Sequence, residues 1–144
     1  MPFKPAMILM IDDNPADVRL TQEALKDLHI SNDLRLLDSG DKAVSFLLRR
    51  APYADAARPD LILLDWNLPG VDGSELLELI RTDGSLASIP VVILTGSREQ
   101  IDALKAYHLR ANCYVTKPID LSGIAAILDS CPQLRITISA VTES

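Results

Sequence analysis

The sequence predicts an α/β fold built on a doubly wound parallel sheet of five strands. Three observations carry that expectation. Short apolar runs of strand length recur at regular intervals, and segments of helical periodicity alternate with them. Three of the apolar runs are continuous rather than alternating, as strands covered on both faces require. Alternation of strand and helix forces parallel strands, because each right-handed crossover packs its helix back on the sheet.

The first strand is expected over Ala6–Ile11 (AMILMI). Asn14–Pro15 then opens a helix, with Asn as N-cap and Pro in the first helical position. Val18, Thr21, Ala24, Leu25 and Leu28 follow at helical spacing, while Arg19, Gln22, Glu23 and Lys26 face away. The second strand is expected over Leu34–Leu37, and its helix, Asp41–Arg50, carries Ala43, Val44, Leu47 and Leu48. A longer connection, Ala51–Pro59, is rich in Ala, Pro and Asp and suits a surface loop. The third strand is Leu61–Leu64. It precedes a helix over Ser74–Thr82 with Leu76, Leu77 and Ile80 inside. The fourth strand is Val91–Leu94, followed by Glu99–Leu109 with Ile101, Leu104 and Leu109. The fifth is Cys113–Val115, followed by Leu121–Leu128 with Leu121, Ile124, Ala125 and Leu128. Residues 1–130 then make one domain, and 131–144 a tail. In that tail Leu134–Val141 (LRITISAV) is rich in β-branched residues. It suits a sixth strand, an arm onto a partner, or a disordered end.

Composition narrows the function. A chain of 144 residues, 48% hydrophobic, can bury a real core in one domain. With one Trp, three Tyr and two Phe, that core must be mostly aliphatic. A net charge of −6 argues against a nucleic-acid partner, which needs clustered Lys and Arg. Cys113 and Cys131 show no metal-ligand spacing and are expected as reduced thiols in a cytoplasmic protein. The apolar N-terminus is too short to span a bilayer and has no cleavage signal, so no membrane is expected.

In open α/β sheets, ligands sit beyond the carboxyl ends of the strands. The residues expected there are Asp12 and Asp13, then Asp65, then Thr95 and Gly96, then Thr116, Lys117 and Pro118. Three carboxylates crowded on one rim repel one another. Their pKa values must rise, or a hard cation must neutralise them. Mg²⁺ suits such oxygen ligands, and the backbone carbonyl of Asn67 could complete the set. Taken alone, Asp12 and Asp13 fit a helix cap or solvated loop better than a site; Asp65, Thr95 and Lys117 in step favour a site.

Four stretches carry a family resemblance: IDDN (Ile11–Asn14), LLDWNLPGVDG (Leu63–Gly73), VVILTG (Val91–Gly96) and CYVTKP (Cys113–Pro118). Together they resemble the receiver domain of bacterial two-component response regulators, over about residues 6 to 130. The spacings agree too: 30 residues from Asp65 to Thr95, and 22 from Thr95 to Lys117. The resemblance implies a flavodoxin-like sheet of order 2-1-3-4-5. It implies Asp65 as phosphoacceptor, taking a phosphoryl group from a sensor histidine kinase. Asp13 would bind Mg²⁺ directly, and Asp12 directly or through a water. Thr95, Gly96 and Lys117 would contact the phosphoryl oxygens. Thr95 and Tyr114 would form the switch, though Tyr114 also fits a half-exposed edge-strand residue. Lys117–Pro118 would be a cis peptide. Asn67 and Ser97 lie where the family tunes phosphoryl lifetime.

A finer resemblance rests on ADVRLTQEAL (Ala16–Leu25), NCYVTKP (Asn112–Pro118) and the long stretch before the third strand. It looks like the small single-domain regulators that pair with bacterial phytochrome kinases. About fourteen residues follow the last helix, too few for a DNA-binding output domain. The expected output is therefore a protein contact or phosphoryl relay. A homodimer through the fourth helix, fifth strand and fifth helix, or through the tail, is also expected. Two other readings compete. An aspartyl-phosphate hydrolase would want a second carboxylate where Asn67 stands. A degenerate scaffold would lack the acceptor or its acidic neighbours, and all are present. His29 and His108 read as surface or packing residues, and Trp66 as packing beside the pocket.

Overall fold

The computed structural model describes residues 6–27, 32–68, 70, 72–107 and 109–131. Five strands and five helices alternate along the chain. They are β1 (Ala6–Ile11), α1 (Pro15–Asp27), β2 (Asn32–Leu37), α2 (Gly40–Leu47), β3 (Leu61–Asp65), α3 (Gly73–Thr82), β4 (Val91–Thr95), α4 (Arg98–Ala106), β5 (Cys113–Thr116) and α5 (Leu121–Ser130). The sheet order is β2-β1-β3-β4-β5, and every pairing is parallel. The three continuously apolar runs, β1, β3 and β4, are the three central strands. Every residue in them is buried.

Alternate residues of each central strand feed opposite layers. Ile8, Met10, Leu61, Leu63, Val92 and Leu94 pack against Ala24 and Leu25 of α1 and Ile124 and Ile127 of α5. Leu9, Ile11, Ile62, Leu64 and Ile93 pack against Phe46 of α2, Leu76 and Ile80 of α3, and Leu104 of α4. Each of the larger of these side chains stabilises the fold by roughly 1.5–3 kcal/mol when buried. Cys131, assigned to the tail by sequence, is buried with the α1 and α5 layer.

Several boundaries differ from expectation. β2 begins at Asn32, which pairs with Ala6. An apolar run cannot reveal this, because an edge strand tolerates polar residues. α2 stops at Leu47 rather than Arg50. Arg49 turns left-handed at φ 55°, and the Arg50 N–H donates to Ser45 O at 2.8 Å. α4 ends at Ala106, before Leu109, yet Leu109 still packs on the α2–α3–α4 layer. α5 runs two residues longer than its apolar stripe, to Ser130.

At the amino end of the sheet one side chain ties several segments together. Arg81, in the last turn of α3, donates to the carbonyls of Ile89 (2.7 Å), Ala87 (3.2 Å) and Arg110 (2.7 Å), and to Asn112 Oδ1 (2.7 Å). The same Asn112 oxygen accepts the Val91 N–H at 3.0 Å. Leu134–Val141, His29 and His108 lie outside the described residues, as does the possible sixth strand.

Candidate functional site

The carboxyl ends of β1, β3, β4 and β5 meet on one rim. Asp12 continues the β1 ladder, its N–H donating to Leu37 O at 3.0 Å. Asp65 is the last residue of β3, and Thr95 of β4. Lys117 follows β5, its N–H donating to Thr95 O at 2.8 Å, and the Lys117–Pro118 bond is cis. Asp12, Asp65 and Thr95 are buried, whereas Asp13 is exposed. One carboxylate oxygen from each of Asp12, Asp13 and Asp65 lies within 4.8 Å of the others.

Lys117 sits at the centre of the charge. Its Nζ lies 3.0 Å from Asp12 Oδ2, 3.0 Å from Asp65 Oδ2 and 2.8 Å from Asp17 Oδ2. Burial alone would push this ammonium down. The carboxylates of Asp17, Asp12 and Asp65 outweigh burial and hold its pKa well above the ordinary lysine value. The Asp12 carboxyl is raised, chiefly by burial, even though the Asn14 N–H and Lys117 pull it down. The remaining oxygens are held by local backbone. Asp12 Oδ1 accepts the Asn14 N–H at 2.8 Å, and Asp65 Oδ1 accepts the Asn67 N–H at 3.1 Å. Asp12 Oδ2 is buried and ion-paired, but among the described residues it has no aligned hydrogen-bond donor.

That oxygen tests the fit for a metal. A buried anionic oxygen that shares a single ammonium with two other carboxylates, beside Asp13 and Asp65, is a donor set for a hard divalent cation. The residues present therefore fit such an ion.

The other half of the rim is neutral. The Thr95 hydroxyl donates to Gln100 Oε1. Gln100 and Asn67 exchange amide hydrogen bonds, each 3.3 Å long. Ser97 caps α4, its Oγ accepting the Gln100 N–H at 3.1 Å. A Cβ placed on Gly96 would meet nothing within 4 Å, so space is open above it. Tyr114 is half-buried, and burial raises its phenol pKa. Lys105 Nζ lies 6.0 Å from its ring centroid. Trp66 packs under the start of α3, where a Cβ on Gly73 would come within 2.8 Å of the indole.

Sequence reasoning missed two residues of this rim, Asp17 and Gln100. Asp17 was visible only as an acid in the first turn of α1. Gln100 was visible as the fourth residue of Ser97-x-x-Gln100, a capping-box pattern. Neither pattern says which way the side chain leaves its helix.

A doubly wound sheet of this order, with an Asp–Lys cluster at the ends of β1, β3 and β5, defines the class. The family model for the response regulator receiver domain matches residues 8–129, and the chain belongs to that family. It is therefore a receiver-domain response regulator of two-component signalling. Among individual proteins, it is 43% identical over 120 residues to response regulator Rcp1 of Synechocystis sp. The match spans 83% of this chain and 82% of that protein. The bacteriophytochrome response regulator AtBRR superposes with a TM-score of 0.82 at 33% identity, covering 90% of this chain and 94% of that one. The Mn²⁺-bound form of Rcp1 superposes with a TM-score of 0.73 at 41% identity, covering 88% and 93%. No described helix is long and apolar enough to cross a membrane.

Proposed function

We propose that the chain takes a phosphoryl group on Asp65 from a phosphohistidine of a sensor kinase. The observation that carries this is the Asp65 carboxylate, buried at a strand end between Lys117 and the Asp12–Asp13 pair. An Asp65 oxygen attacks phosphorus in line. The phosphorus–nitrogen bond breaks, its electron pair returns to the imidazole nitrogen, and an acyl phosphate remains on Asp65. Asp12, Asp13 and Asp65, with the Asn67 carbonyl, would hold Mg²⁺. When bound, that ion would neutralise charge on the carboxylate and phosphoryl oxygens. Lys117 already lies 3.0 Å from Asp65 and supplies a compact positive charge to one phosphoryl oxygen. The Thr95 hydroxyl and the Gly96 N–H serve the others. Tyr114 follows Thr95 inward as the switch.

The partner would be a histidine kinase. Likeness to Rcp1 and to bacteriophytochrome response regulators favours a bacterial phytochrome as that kinase. Signalling would pass through protein contacts, with two copies joined by the α4–β5–α5 face or by residues 131–144. Sedimentation across concentrations, with and without that tail, tests the dimer; a monomer throughout would remove it.

The deciding experiment is an intact mass after incubation with acetyl phosphate and Mg²⁺. One phosphoryl adduct is expected on the wild type. None is expected on Asp65→Asn, nor on the wild type with excess chelator. An adduct that survives Asp65→Asn would overturn the assignment.

A further inference from the structure

Ser97-x-x-Gln100 at the start of α4 has the sequence of a capping box. In such a box the fourth side chain reaches back to the N–H of the first residue. Here it does not. Gln100 Oε1 accepts the Thr95 hydroxyl, and the Gln100 amide pairs with Asn67. The Ser97 N–H points instead to Thr95 Oγ1, at 3.4 Å. Thr95 has thus taken the place of Gln100 in the cap, and Gln100 has taken the Thr95 hydroxyl. Thr95 is fully buried, so its hydroxyl must leave one partner to gain another.

We propose that Gln100 is a positioning residue that holds the Thr95 hydroxyl away from Asp65 in the resting protein. When Thr95 turns to the phosphoryl group, Gln100 swings back and closes the capping box on the Ser97 N–H. The first turn of α4 therefore exchanges one cap for another as the site fills. The exchange rests on Asp65 being the phosphoacceptor. It adds a residue outside the strand-end set and a defined route from the site into α4.

A double-mutant cycle tests it. Gln100→Met keeps volume and helix preference but cannot hold the hydroxyl. Gln100→Ala serves as a second variant, and thermal melting checks that each is folded. The readout is the rate of adduct formation with acetyl phosphate and Mg²⁺, followed by intact mass. Losing one competing hydrogen bond should speed the reaction by roughly threefold to tenfold. In a Thr95→Ala background the same substitutions should change nothing. Equal effects in both backgrounds, or no acceleration, would overturn the proposal. A second readout separates switching from simple packing. On adding beryllofluoride and Mg²⁺, the Gln100 side-chain amide signals should shift, while the Ser97 amide stays protected from exchange. Unmoved Gln100 signals would sink the exchange. A wild type that forms no adduct at all would instead overturn the phosphoacceptor reading, and the Gln100 role with it.

Discussion

The rim has two halves of opposite character. On the β1 side, Lys117 gathers three carboxylates, two of them buried. On the β4 side, Thr95, Gln100 and Asn67 form an uncharged hydrogen-bond chain. The charged half depends on one cation. Two of its anions are out of water, and each repels the others. The neutral half can exchange partners at small cost, because its groups lose only ordinary hydrogen bonds. The proposed switch would use both: a half that holds a strong charge balance, and a half that can be re-wired cheaply.

The contrast can be broken at its strongest point first. Lys117→Met leaves the carboxylates without their cation, and removing one partner of a buried ion pair costs about 3–5 kcal/mol. Urea unfolding in chelator should show that loss. Mg²⁺ should return part of it; no recovery would mean that the acidic set does not take a cation. Asp17→Asn is milder, because Lys117 keeps two carboxylates. A loss of about 1.5–3 kcal/mol is expected, as for one hydrogen bond to a charged group.

Acidity supplies the next test. Burial raises the Asp12 carboxyl above 3.8. From 3.8 up to that raised value the folded chain binds the extra proton and the unfolded chain does not. Stability of the metal-free protein should therefore fall as pH climbs through that window, and Asp12→Asn should flatten this slope. Urea midpoints across pH, with chelator, measure it; an unchanged slope would remove Asp12 as its source. The smallest effect belongs to the neutral half. Asn67→Ala should cost below about 1 kcal/mol, since its amide pair is exposed. Because only its backbone carbonyl would face the cation, Mg²⁺ should stabilise this variant as it does the wild type. A lost Mg²⁺ response would tie the neutral half to the charged one.

The two halves also differ in how far the sequence reveals them. Asp12, Asp13, Asp65, Thr95 and Lys117 stand at or within two residues of the ends of apolar runs, so strand ends alone bring them together. The central strands were legible for the same reason: β1, β3 and β4 are apolar without interruption because both faces are covered. Gln100 and Asp17 were not legible, since each lies inside a helix. A helical side chain's target depends on how that helix docks, and local pattern does not encode docking. Gln100 even carries the pattern of a different role. The start of β2 and the end of α2 were missed through local chemistry. One is a polar edge strand, and the other is a left-handed turn at an arginine, a residue that rarely adopts one.

Arg81 gives the molecule a fulcrum. Its guanidinium clamps the end of α3, the approach to β4 and the approach to β5 to one another, far from the Asp65 end of the sheet. A movement of Thr95 in the proposed switch would therefore turn about this held end, with the α4 side of the rim as its free arm.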